Sequence, residues 1–130
     1  MSGPFIFIAT NRLKKGAFED EQRRVRELCD FIAVNEPRLI AFNEYVNEDR
    51  TEVAVVQVHP DAKSMEFHMG VVRERAQRAY GDTRDATTSI QVYGMPSDAV
   101  LESLRQQAGA GVPLRVNPRH LGGFTRSETG

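Results

Sequence analysis

The sequence predicts an α+β domain whose elements follow the order β-α-β-β-α-β. Three observations lead there. Apolar spacing alternates between the two-residue period of strands and the period of about 3.6 of helices, with switches at Pro- or Gly-bearing boundaries. A polar tetrad, Asn47-Glu48-Asp49-Arg50, separates two β-rich runs and marks a hairpin. The strands are apolar on both parities, as strands covered on two faces are.

The first strand is expected over Pro4 to Asn11, where Phe5, Phe7 and Ala9 alternate with Ile6, Ile8 and Thr10 and Lys14-Lys15-Gly16 follows as a breaker. From Ala17 the period becomes helical: Phe18, Val25, Leu28, Cys29 and Ile32 form one stripe, and Pro37 stops the helix. Glu19, Asp20 and Glu21 sit in the first turn, where the helix dipole favours acids. Glu19 to Arg23 and Asp20 to Arg24 are spaced as i,i+4 pairs, so the charged run to Glu27 reads as a solvated face. The hairpin spans Arg38 to Val46 and Thr51 to His59.

Asp61 is expected to cap a second helix with the seam Met65, Met69, Val72 and Ala76, ended by Gly81. A turn rich in Asp and Thr leads to a fourth strand, Thr88 to Met95. Ser97 caps a third helix with Val100, Leu101, Leu104 and Ala108 inward, closed by Gly109-Ala110-Gly111. Val112 to Val116 suits a short fifth strand, and Leu121 to Arg126 a mobile or docked extension.

This order is ferredoxin-like: a four-stranded antiparallel sheet with both main helices on one face. Residues 4–95 make that core and 96–130 a C-terminal helix and extension, within a single domain spanning 1–130. The strands around Ile6/Ile8 and Val53/Val55 carry apolar residues on both parities, so the helix-free face needs a cover and a second copy of the chain is expected to supply it as a homodimer.

Composition narrows the function. A chain of 130 residues is long enough for one core without staples. A net charge of −1 supplies no basic field for phosphate backbones, so no nucleic-acid partner is expected. Cys29 is the one cysteine, which excludes an intramolecular disulfide and a thiolate cluster; its place on the stripe makes it core filler. The apolar stretch Phe5 to Ala9 is too short for a signal peptide or a span, so no membrane association is expected and a cytoplasmic location fits best. No phosphate-loop pattern and no nucleophile elbow occur.

Ala9-Thr10-Asn11-Arg12-Leu13 closing the first strand, the hairpin, and Gln57-Val58-His59-Pro60-Asp61-Ala62 running into Phe67-His68-Met69 together resemble a known family. The chain is similar to the antibiotic biosynthesis monooxygenase-like proteins of the dimeric α+β barrel superfamily. The resemblance covers about residues 4–95 and implies a pocket between sheet and helices in each subunit. It further implies a cofactor-independent monooxygenase-like enzyme, in which a deprotonated phenol or enolate itself reduces oxygen while the protein positions the substrate and stabilises the anion. Asn11 takes the place of the asparagine such enzymes carry on the first strand, while the chain has no tryptophan to match theirs. Against the haem-degrading branch, His68 falls at the tryptophan position and Gln77 near the ligand position, so no haem is expected.

The candidate catalytic residues are Asn11 and His68. His68 borders the seam of its helix, where a half-buried imidazole suits a general base near neutral pH. Asn11 would bind a developing oxyanion, or else simply form an Asx turn. Phe7, Phe42, Tyr45, His59, Met65 and Met69 are candidate lining for a pocket holding a small hydrophobic or aromatic ligand, with core packing as the ordinary alternative. His59 is also placed to bond the capping carboxylate. Glu44 and Tyr45 alternate, so only one can face a given pocket, and Tyr93 is a packing aromatic. His59 and His68 could share a metal only if Asp61 or Glu44 joined them; no standard spacing is present, and neither metal nor cofactor is expected. A non-catalytic dimeric ligand-binding or interaction protein is the other reading. The two separate on the interior: a filled one, with less than roughly 300 Å³ open, argues against an enzyme.

Overall fold

The computed structural model describes residues 3–126. In chain order they form β1 (Phe5–Leu13), α1 (Phe18–Asn35), β2 (Ala41–Val46), β3 (Glu52–His59), α2 (Ala62–Asp82), β4 (Arg84–Tyr93), α3 (Asp98–Ala108) and β5 (Leu114–Asn117). The sheet has the strand order β2-β3-β1-β4-β5. Its first four strands pair antiparallel, as ferredoxin-like topology requires, and β5 adds to β4 in parallel. The sheet is thus five-stranded and mixed, not four-stranded and antiparallel. A parallel edge needs a crossover connection, and α3 supplies it.

β1 lies at the centre, with Phe7 opposite Gln57 of β3 and Val92 of β4. Its Phe5, Phe7, Ala9, Asn11 and Leu13 side chains are buried beneath the helices, alternating with half-buried Ile6, Ile8 and Thr10 on the other face. β3 repeats the pattern, burying Val53, Val55, Gln57 and His59 and leaving Val56 and Val58 on the helix-free face. The main core gathers Phe5, Phe7, Ala9, Met65, Ile90, Val92, Val100, Leu104 and Ala108.

Both expected caps are present. The Asp61 carboxylate accepts from Ser64 N at 2.9 Å and the Ser97 hydroxyl from Val100 N at 3.2 Å, each satisfying an amide the helix leaves open. In the hairpin turn Asn47 Oδ1 accepts from the amides of Thr51 and Glu52 at 3.0 Å. Several boundaries differ: β1 runs on to Leu13, β4 ends at Tyr93 and β5 lies at Leu114–Asn117. α2 runs through Gly81 to Asp82, β2 starts at Ala41 rather than Arg38, and β4 starts at Arg84, four residues before Thr88. That Asp- and Thr-rich stretch is strand with register shifts against β1, held by tertiary partners rather than by β-propensity.

The charged face of α1 also departs from expectation. Arg23 and Arg24 pair three residues back, with Asp20 and Glu21, and Glu21 is buried rather than solvated. Cys29 is half-buried, and burial pushes its thiol up. Leu121 and Phe124 of the extension are exposed, so that segment is not docked through them. Among the described residues no helix is long and apolar enough to cross a membrane.

Candidate active site

Between the helices and the sheet lies a cavity of about 430 Å³. Phe7, Ala9 and Asn11 of β1, Phe42 of β2, and Val55 and Gln57 of β3 form its floor. The α2 seam meets the sheet at its start, where Met65 joins the core and Met69 packs against it; both, with Val72, Ala76 and Leu28 of α1, also line the cavity. Ser103, Gln106 and Gln107 of α3 complete the wall, so the C-terminal helix belongs to the site.

His68 is buried at this wall, 3% exposed. Its Nδ1 lies 2.9 and 3.0 Å from the two carboxylate oxygens of Glu36, which caps the end of α1 and is itself buried. No described hydrogen bond uses His68 Nε2, yet no fully buried side-chain nitrogen or oxygen lacks a partner among the described residues. Nε2 therefore reaches open space, and the open space His68 borders is the cavity. Burial pushes Glu36 up to about 7 and His68 down to about 4. Below about pH 7 the protonated carboxyl donates to Nδ1, and Nε2 carries the ring hydrogen. Above it the carboxylate accepts from Nδ1–H, and Nε2 presents a lone pair to the cavity.

Asn11, 1% exposed, sits on the cavity floor. Its Oδ1 accepts from the Tyr80 hydroxyl at 2.7 Å and from Thr87 Oγ1 at 2.8 Å. Gln107 Nε2 donates to both hydroxyls, at 3.1 and 3.3 Å. With its oxygen committed to this network, Asn11 turns Nδ2 toward the cavity, and no described hydrogen bond uses that amide group. Such a donor, held before any ligand arrives, needs no reorganisation to meet an oxyanion.

A second polar cluster lies where α1, β2 and β4 meet. Glu21 accepts from Arg24 Nε at 3.0 Å, Arg24 Nη2 at 2.9 Å, Arg84 Nη2 at 3.0 Å and Thr83 Oγ1 at 2.6 Å. Arg84 Nη2 also donates to Glu44 at 2.7 Å. Burial opposes the charge on Glu21. Hydrogen bonds from Glu44 and Arg24, the charge of Arg84 and the Thr83 hydroxyl outweigh it and hold Glu21 well below the usual carboxylate range. Glu44 moves the other way, to about 8, through burial and the hydrogen bond it shares with Glu21, against the pull of Arg84.

The structure brings Asn11, His68, Phe7, Phe42, Met65 and Met69 to one cavity. Tyr45 is not among them: it is 62% exposed, and its neighbour Glu44 takes the inward side of β2. His59 is fully buried behind His68, ring centroids 5.7 Å apart, and does not line the cavity. It bonds Ser64 Oγ at 2.7 Å and Gln57 Oε1 at 2.9 Å instead of the capping carboxylate, which pairs with Arg38. Burial holds its ring down at about 4. Both its nitrogens are engaged, and among the described residues no group of three His, Cys, Asp or Glu side chains is arranged to hold a metal ion.

Sequence reasoning missed Glu36, Tyr80, Thr87, Arg24, Arg84 and Gln107. A signal existed for the acids: Glu21 follows Phe18 by three and Glu36 follows Ile32 by four, so both extend the apolar stripe of α1.

The sequence matches no family model and no curated protein. Solved structures do match. MupZ from Pseudomonas fluorescens aligns over 96% of this chain and 96% of its own, with a TM-score of 0.69 at 14% identity. A structure described as an antibiotic biosynthesis monooxygenase aligns over 72% of this chain and 97% of its own, with a TM-score of 0.59 at 18% identity. This is the antibiotic biosynthesis monooxygenase-like fold. PA3566 from Pseudomonas aeruginosa shares it at 20% identity, covering 71% of this chain and 93% of its own with a TM-score of 0.60. The MupZ alignment is long enough to take in α3 and β5, which the antibiotic biosynthesis monooxygenase-like core of residues 4–95 left as an addition.

Proposed function

We propose that the protein is a cofactor-independent monooxygenase-like enzyme acting on a small aromatic or enolisable compound. The observation that carries this reading is that His68 and Asn11 line one half-open cavity of about 430 Å³, and that no hydrogen bond among the described residues uses His68 Nε2 or Asn11 Nδ2. His68, held by Glu36, takes a proton from the substrate as general base. Asn11 donates to the oxyanion of the phenolate or enolate so formed. The electron-rich carbanion reduces dioxygen: a CH2 group becomes C=O, one oxygen atom enters the product, and the other leaves as water with the two hydrogens.

The test is oxygen uptake with an anthrone-type phenol by metal-stripped protein. His68→Ala and Asn11→Ala should each lower turnover at least tenfold, about 1.4 kcal/mol of barrier, with the circular dichroism unchanged. Full turnover in His68→Ala removes the histidine from the mechanism. If the unsubstituted protein takes up no oxygen, the non-catalytic ligand-binding reading replaces this one.

The enzyme works as a homodimer in this reading, because Ile6, Ile8, Val56 and Val58 form an apolar strip on the face that no helix covers. Light scattering should give twice the chain mass, and Ile8→Glu should halve it. A monomer before substitution would end the dimer proposal.

A further inference from the structure

Arg84 is 7% exposed, and Arg24 is half-buried beside it. Each commits Nε and Nη2 to Glu21 or Glu44. No described hydrogen bond uses Nη1 of either, and no fully buried side-chain nitrogen lacks a partner among the described residues, so these groups also reach open space. Both residues line the cavity. A salt-bridge cluster built only for stability has no need to leave guanidinium edges free beside a cavity. Two such edges suit the oxygens of a planar anion.

We propose that the substrate carries a carboxylate, gripped by the Nη1 edges of Arg24 and Arg84 while its reacting ring lies toward His68. This names the substrate class of the site already described, and it rests on that reading. Spacing supports it. The Phe42 ring lies 5.7 Å from that of His68, and Glu44, which holds Arg84, follows Phe42 by two residues on the same side of β2. Two residues of strand span about 7 Å, the length scale of a fused aromatic ring pair. Charge supports it too: the guanidinium groups of Arg24 and Arg84 favour an anion at this end of the cavity. Gln106 and Gln107 on the facing wall add no charge of their own, and Arg73 at the margin adds a positive one.

The test is calorimetric titration near pH 7 with 2-naphthoate and with 2-naphthamide, which has nearly the same shape and no charge. The carboxylate should bind at least tenfold more tightly to the unsubstituted protein. Arg24→Gln should erase that preference, and His68→Ala should keep it. Arg24 serves rather than Arg84 because Arg84 is buried in the ion cluster and its loss endangers the fold. Equal affinity for the two compounds overturns the proposal with no variant needed, as does a preference that survives Arg24→Gln. The two readings fail separately. A carboxylate preference without oxygen uptake supports the anchor and refutes the oxygenase, while uptake without the preference overturns the anchor alone.

Discussion

Glu21 and Glu36 are buried acids on the same helix, near its two ends, and they are held in opposite states. Around Glu21 two guanidinium groups, a threonine hydroxyl and a shared proton from Glu44 keep the carboxylate charged. Around Glu36 the ionisable partner among the described residues is an imidazole that burial itself discourages from charging. Burial with fixed cations makes a carboxylate that stays charged over any ordinary pH. Burial beside a histidine makes a group that releases and takes up a proton near neutrality, as proton transfer needs. The cavity touches both, through Arg24 and Arg84 at one and His68 at the other.

The largest expected effect falls on that charged carboxylate. Glu21→Gln leaves Arg24 and Arg84 short of their counter-charge and should cost about 3–5 kcal/mol in urea unfolding; a loss below about 1 kcal/mol would mean the cluster is not what holds α1 to β4. Next comes the pH dependence, where the two acids should have opposite signatures. Glu36 has a folded-state value of about 7, above its unfolded 4.5, so its ionisation costs stability as pH rises between them. Glu36→Gln removes that cost, and its stability relative to the unsubstituted protein should climb by about 3 kcal/mol from pH 4.5 to 7 and stay level above. Glu21 lies below its unfolded value and contributes stability that is lost on acidification. The penalty of Glu21→Gln should therefore shrink below about pH 4.5. A flat difference for Glu36→Gln would show that Glu36 titrates as an ordinary carboxyl.

A smaller effect is expected at Thr83, whose hydroxyl donates to Glu21 at 2.6 Å. Thr83→Val should cost about 2 kcal/mol in unfolding, the range of a hydrogen bond to a charged group, and leave oxygen uptake unchanged. Smallest, and confined to the other acid, is the rate profile. Oxygen uptake should rise about tenfold per pH unit up to about pH 7 and then level, about 1.4 kcal/mol per unit. A rate that falls as pH rises through 7 would mean that His68 acts as an acid.

What was legible in the sequence was what neighbours in the chain decide. The alternation in β1 and β3, the polar turn between the hairpin strands, and the caps at Asp61 and Ser97 all depend on residues a few positions apart. The start of β4 was not legible, because Arg84 and Thr87 look like turn residues until Glu21 and Asn11 meet them across the fold. Glu21 and Glu36 were hidden for the same reason: a carboxylate on an apolar stripe reads as a surface residue unless its remote partner is known. Asn11 and His68 stood out by residue type, but the groups that orient them, Tyr80, Thr87 and Glu36, come from other segments. The edge strand β5 could be expected as a strand, while its parallel pairing depends on how α3 crosses the sheet.

The central position of β1 also bears on how the molecule forms as it is made. The first strand to emerge must wait for both its neighbours: Phe5 pairs with His59, and Ile6 with Tyr93. Of the antiparallel pairs only the β2–β3 hairpin joins strands adjacent in the chain, so most of the sheet closes through distant partners. Such wiring favours slow folding, and it leaves a strand that is apolar on both sides without its second partner until residues 84–93 have been made. A synthesis that stalled between the hairpin and β4 would present that strand with one edge bare, a natural substrate for chaperones and a seed for aggregation.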